Sequence, residues 1–257
     1  MTEQSARPGE PTGRRLRLGH LYPRQMNVYG DRGNIICLER RCNQRGIGLE
    51  VAEIGPGTGL GADEFDLLFI GGAQDHEQRL VAADLAGAKG EALRAAVQAG
   101  TVLLAVCGGY QLSGHFYRGA DGSELKGASV LDLWTIHPGS RARRLIGNLL
   151  ASWEGGDLAG FENHGGRTYL GAGCEPLARV VHGFGNDGEA GFEGARYLNA
   201  FGTYLHGPLL PKNPAFADRL LAIALERKYG EAALPPLADG LELRAHAAAV
   251  RAAGSGR

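Results

Sequence analysis

Hydrophobic and polar positions change period several times along the chain, and each change marks an element. Leu16 to Tyr22 (LRLGHLY) alternates apolar and other residues and reads as a first strand. Residues 31 to 46 carry Ile35, Ile36, Leu38 and Cys42 between charges and close on Gly46, the pattern of a helix ending at a glycine. Leu49 to Ile54 reads as a second strand. The runs Phe65 to Ile70 and Thr101 to Val106 are almost uninterruptedly apolar, as strands covered on both faces must be. A helical stretch, 88 to 98 (AKGEALRAAVQ), separates them. This alternation predicts an α/β fold with a doubly wound, mostly parallel sheet, in which sites lie beyond the carboxyl ends of the strands. From 126 to 205 the pattern breaks into short β-like pieces (Leu145 to Leu150, Ala178 to Val181, Tyr197 to Phe201) separated by Gly, Asn and Asp turns, which predicts added antiparallel strands. Residues 214 to 229 form an amphipathic helix before Gly230, and a further helix is expected near 240 to 252. The expected division is a disordered tail at 1–14, one domain at 15–230 and a helical or frayed tail at 231–257.

Charge narrows the function classes. The 257 residues hold 27 Lys+Arg against 28 Asp+Glu, a formal net charge of -1, which argues against a nucleic-acid binder relying on a basic surface. No apolar run is long enough to cross a bilayer, and residues 1 to 13 do not read as a signal peptide. Cys37, Cys42, Cys107 and Cys174 are scattered without metal-ligand spacing, so no metal site is expected and the reducing cytoplasm is the expected compartment.

Two strand ends carry candidate chemistry. Cys107 directly follows an apolar strand and precedes Gly108-Gly109, the arrangement of a nucleophile on a sharp strand-to-helix turn, where small neighbours permit a strained backbone and the helix start favours a thiolate. The plainer reading is a structural cysteine at a strand end. A thiolate nucleophile needs a base, and His206 in Gly202-Thr203-Tyr204-Leu205-His206-Gly207-Pro208 is the leading candidate. His137, His182 and His246 read as solvent-exposed, whereas His20, His76, His115 and His164 stay open.

The string Val106-Cys107-Gly108-Gly109-Tyr110-Gln111 resembles the nucleophile elbow of class I glutamine amidotransferases, in their cobyric-acid-synthase-like branch. Phe69 to Asp75 is similar to that branch's oxyanion strand, and Gly202 to Gly207 to its histidine motif. Leu21 to Pro23, Asn27 to Asn34, Gly160 to Thr168 and Leu209 to Pro214 further resemble the GatD family, the glutaminase subunits of lipid II isoglutaminyl synthases. That resemblance spans about residues 16 to 230 and implies a flavodoxin-like fold. It also implies hydrolysis of L-glutamine through a Cys107 thioester with His206 moving the proton. Ammonia would pass to a MurT-like Mur ligase subunit, forming a heterodimer that amidates the D-glutamate of the peptidoglycan stem on lipid II. The chain has no phosphate-binding G-x-x-x-x-G-K-[ST] string, so it is expected to hold no cofactor itself, with ATP and Mg on the partner. Gly72, Ala73 and Gly108 are expected at the oxyanion, with Gln111 and Arg144 on substrate, although Gln111 as a surface helix residue and Arg144 as a surface arginine remain open readings. The usual carboxylate two residues after the histidine is replaced by Pro208, leaving the third catalytic position unassigned, with Glu162 or another carboxylate as candidates. The role of Asn163-His164-Gly165-Gly166-Arg167 stays open. Competing readings are an amidotransferase subunit for another carboxylate acceptor such as a corrinoid, a non-catalytic partner-binding subunit, and a cysteine peptidase or hydrolase on a similar sheet.

Overall fold

The computed structural model describes residues 9–254; the expected tail residues 1–8 and 255–257 lie outside the described residues. In chain order come β1 (Arg15–Leu21), α1 (Arg32–Asn43), β2 (Gly48–Ile54), β3 (Leu67–Ile70), the helix pair α2 (Asp75–Ala86) and α3 (Ala88–Gln98), and β4 (Val102–Val106). After β4 come α4 (Gly108–Leu112), β5 (Phe116–Arg118), β6 (Glu124–Lys126) and β7 (Leu133–Ile136). The second half contains β8 (Leu145–Trp153), β9 (Gly156–His164), β10 (Arg167–Leu170), β11 (Ala178–His182), β12 (Phe192–Glu193), β13 (Ala195–Tyr197) and β14 (Ala200–Thr203). It ends with α5 (Leu209–Lys212), α6 (Pro214–Tyr229) and α7 (Gly240–Gly254).

The central sheet runs β13-β14-β4-β3-β1-β2 and is parallel except for β13. Its inner strands β3 and β4 are buried at every position, which explains their continuous apolar sequence. Two four-stranded sheets, β10-β7-β5-β6 and β12-β11-β8-β9, supply the expected antiparallel additions, except that β5 and β7 pair in parallel. One segment departs from expectation. Residues 197 to 201 look like part of the added antiparallel half, yet β14 joins the central sheet in parallel with β4, pairing Phe201 with Leu104 and Thr203 with Val106. Strand order in space is not written in local periodicity, and this pairing sets the end of β14 beside the end of β4.

The polar stretch before β1 is also more tied down than expected, since Gly9 N–H donates to Asn43 O and Thr12 N–H to Gly46 O. At the other end, α7 lies along β8 and β9, with Asn148 Nδ2 donating to Ala252 O and Ala253 buried. Arg41, itself buried, is held by both Asp218 of α6 and Asp239 just before α7. Among the described residues no helix is long and apolar enough to cross a membrane.

Candidate active site

β4 delivers Cys107 into a backbone conformation few residues adopt, φ 50° and ψ -105°. Such a geometry is held only where the surroundings over-determine it. Here Cys107 N–H donates to Thr203 O at 2.8 Å, and Gly109 N–H to Gly71 O at 3.1 Å. Two glycines make the turn possible. A Cβ on Gly109 would lie 2.1 Å from Ile70 Cγ2, and one on Gly108 would lie 2.8 Å from Ala73 N. That contact brings the backbone of Gly108 close to that of Ala73, and among the described residues no acceptor takes the N–H of either.

The Cys107–Thr203 bond fixes the end of β14, and His206 follows three residues later. Its backbone bridges to Phe161 of β9, with His206 N–H donating to Phe161 O at 2.8 Å. Glu193 braces the approach from below, accepting from Thr203 Oγ1 at 2.6 Å and from Tyr204 N–H at 2.8 Å. Full burial pushes the Glu193 carboxyl up to about 7, against the opposing pull of those two bonds.

The carboxylate beside His206 is that of Asp31, which precedes α1. Its Oδ1 lies 3.5 Å from His206 Nδ1, both side chains are fully buried, and its Oδ2 accepts Gly72 N–H at 2.6 Å. A Cβ on Gly72 would sit 2.8 Å from His206 Cε1, 3.1 Å from Asp31 Oδ2 and 3.3 Å from Cys107 Cβ, so one glycine marks the point where all three converge. Burial alone would lower the His206 pKa, but the neighbouring Cys107 and Asp31 outweigh it and raise it to about 10. The raised pKa favours the imidazolium form of His206, whose Nδ1 faces the Asp31 carboxylate. Tyr29 covers the ring edge-on, with centroids 5.0 Å apart.

Two expectations change on this geometry. Glu162 does not reach His206: it is fully buried in another direction, accepting Phe184 N–H at 2.7 Å and Gly185 N–H at 2.9 Å. The Gly72 N–H is engaged by Asp31, so it is not free for an oxyanion, and the pair of donors left is Ala73 and Gly108. The sequence reasoning missed Asp31 although it stands beyond the carboxyl end of β1, where ligand-facing residues of such sheets gather.

A cavity of about 430 Å³ opens over Cys107, lined among others by Ala73, Asp75, Gln111, Tyr117, Arg144 and Asn163. Gln111 faces this cavity but is buried and engaged at both ends: Oε1 accepts from Gln78 Nε2 at 2.9 Å and Nε2 donates to Tyr204 Oη at 3.1 Å. Arg144 is a wall of the cavity, its Nε and Nη2 donating to Asn163 Oδ1. Asn163 is held in turn, donating through Nδ2 to Tyr29 Oη at 2.6 Å. His164 stacks flat on Tyr204, with centroids 3.5 Å apart, and Arg167 donates to Gly165 O and Arg143 O, so this string builds the wall carrying Arg144. His137, His182 and His246, expected in solvent, are all half-buried, and His246 Nδ1 donates to Lys212 O. Among the described residues no cluster of three metal-ligating side chains occurs.

Residues 17–214 match the CobB/CobQ-like glutamine amidotransferase domain. The chain belongs to that family. It is 44% identical over 214 residues to the lipid II isoglutaminyl synthase (glutamine-hydrolyzing) subunit GatD of Staphylococcus aureus, covering 83% of this chain and 86% of the relative. The corresponding subunit of Streptococcus pneumoniae is 40% identical over 218 residues, covering 84% and 83%. A solved glutamine amidotransferase superposes with a TM-score of 0.55 at 18% identity, covering 80% of this chain and 98% of that one, which shows the shared fold.

Proposed function

We propose that the chain is the glutaminase subunit of a lipid II isoglutaminyl synthase. The observation that carries the chemistry is the convergence of Cys107, His206 and Asp31 on Gly72, with Cys107 lining the cavity. The Cys107 sulfur attacks the side-chain amide carbon of L-glutamine, and the oxygen that gains negative charge turns toward the Ala73 and Gly108 N–H groups. His206, already protonated, gives its proton to the departing nitrogen, so ammonia leaves and a γ-glutamyl thioester remains. A water molecule then attacks the thioester, His206 takes its proton, and glutamate departs as the thiolate reforms. Asp31 keeps the imidazolium oriented through both halves. Arg144, held by Asn163, suits the α-carboxylate, and Gln111 shapes the cavity between Cys107 and Arg144.

The acceptor reading follows the two GatD relatives, each matched over more than four-fifths of its length. On it, ammonia passes to a MurT-like Mur ligase subunit in a heterodimer. That partner holds ATP and Mg and amidates the α-carboxyl of D-glutamate on lipid II in the cytoplasm. The test is to incubate the full chain with L-glutamine, alone and with the cognate Mur-ligase-like protein, ATP and lipid II. Glutamate release with amidated lipid II supports the proposal. Glutamate release with no amidation in the complete mixture refutes the acceptor, and a folded chain that releases no glutamate in either mixture refutes the chemistry.

A further inference from the structure

The cavity over Cys107 holds two opposite charges that are not joined to each other. Arg144 hydrogen-bonds only to Asn163, through its Oδ1 and its backbone oxygen, and among the described residues it has no carboxylate partner. Asp75, at the start of α2, lines the same cavity and is exposed; its Oδ1 accepts from Tyr117 Oη at 2.9 Å, and among the described residues it forms no ion pair. The cation nearest to it along the helix, Arg79, points instead to Asp121 at 2.6 Å. Asp75, Tyr117 and Arg144 all line this one cavity, which places the two charges around one mouth. The Tyr117 bond holds the Asp75 carboxyl through Oδ1, and among the described residues no hydrogen bond engages Oδ2.

An α-amino acid bound through its side-chain amide at Cys107 has to place one carboxylate and one ammonium at the far end of the cavity. A cation and an anion kept apart around the same cavity match that zwitterion, whereas a joined Arg–Asp pair would recognise neither group. We infer that Asp75, positioned by Tyr117, receives the α-ammonium of the substrate and so selects α-amino acids over simple ω-amides. This inference rests on the glutaminase reading above. Asp75 is a specificity residue here; it touches substrate far from the reacting carbon and has no part in proton transfer.

The test compares L-glutamine with glutaramate, the same ω-amide without the α-amino group, using the full chain with its partner. The parent is expected to favour L-glutamine in kcat/KM by roughly 10- to 100-fold, the range for a hydrogen bond to a charged group. Asp75→Asn should lose most of that preference through a raised KM for L-glutamine, with kcat and the rate on glutaramate within about threefold of the parent. Tyr117→Phe, which frees the carboxylate without removing it, should lose only part of the preference. If Asp75→Asn lowers both substrates equally and the ratio survives, Asp75 is structural and the inference is wrong while glutamine hydrolysis stands. If the parent turns over neither amide, the glutaminase reading fails and the subsite falls with it.

Discussion

Replacing Asp31 by Asn removes one negative charge from a fully buried site without changing side-chain shape. In the parent, Oδ1 faces His206 Nδ1 at 3.5 Å while Oδ2 holds the Gly72 N–H. Asparagine can keep the Gly72 bond through its oxygen, which turns its NH₂ toward Nδ1. The imidazole is then stabilised with Nδ1 bare and its proton on Nε2, and the imidazolium loses its counter-charge. Two unit charges 3.5 Å apart are worth about 5 kcal/mol at an effective dielectric of 20 and about 1 kcal/mol at that of water. A central figure of about 3 kcal/mol corresponds to a loss of roughly 10²-fold in kcat. The pH profile carries the sign. Asp31 helps to raise the His206 pKa to about 10, so losing its contribution lowers that pKa and moves the alkaline limb of kcat/KM to lower pH. The assay is glutamate release from L-glutamine across pH, with His206 followed by NMR. A variant within about threefold of the parent kcat and with an unmoved alkaline limb would refute the assignment of Asp31.

Glu193 is an acid whose pKa is raised in the fold to about 7, so the native state binds more protons than the unfolded chain between the ordinary glutamate value of 4.5 and that value. Stability should therefore fall as pH rises through this window, by about 3 kcal/mol from this group, and Glu193→Gln should flatten that dependence in urea titrations at pH 5 and 8. Phe216 is fully buried, edge-on to Trp153 at 5.1 Å and to Phe201 at 5.7 Å, so Phe216→Ala should cost about 3–5 kcal/mol in the same titration. Gly109→Ala places a methyl 2.1 Å from Ile70 Cγ2, and should lower thermal stability and glutaminase rate together because the elbow cannot close without moving β3. An unchanged melting temperature for that variant would contradict the packing described for the turn.

The parts of this site that were legible in the sequence are those where one residue needs its immediate neighbours. Cys107 is visible because an apolar strand runs into two glycines, and His206 because a strand-like segment leads into a turn. Helix α6 is visible from its apolar period and its glycine stop; in the structure Gly230 has φ 72°. Asp31 was not legible as the orienting group because its partners, Gly72 and His206, are 41 and 175 positions away and no local pattern links them. Glu162 looked equally suitable by residue type, and only the turn at Phe184 and Gly185 reveals that its carboxylate is engaged by backbone donors. The parallel placement of β14 was hidden for the same reason, since it depends on pairing with β4 across almost a hundred residues.

The central claim is that Cys107 carries the acyl group. Acid-quenching the full chain during L-glutamine turnover and mapping adducts by mass spectrometry tests it directly. The account predicts a γ-glutamyl thioester on Cys107, none on Cys37, Cys42 or Cys174, and no glutamate release from Cys107→Ala; glutamate release by that variant at the parent rate would contradict it.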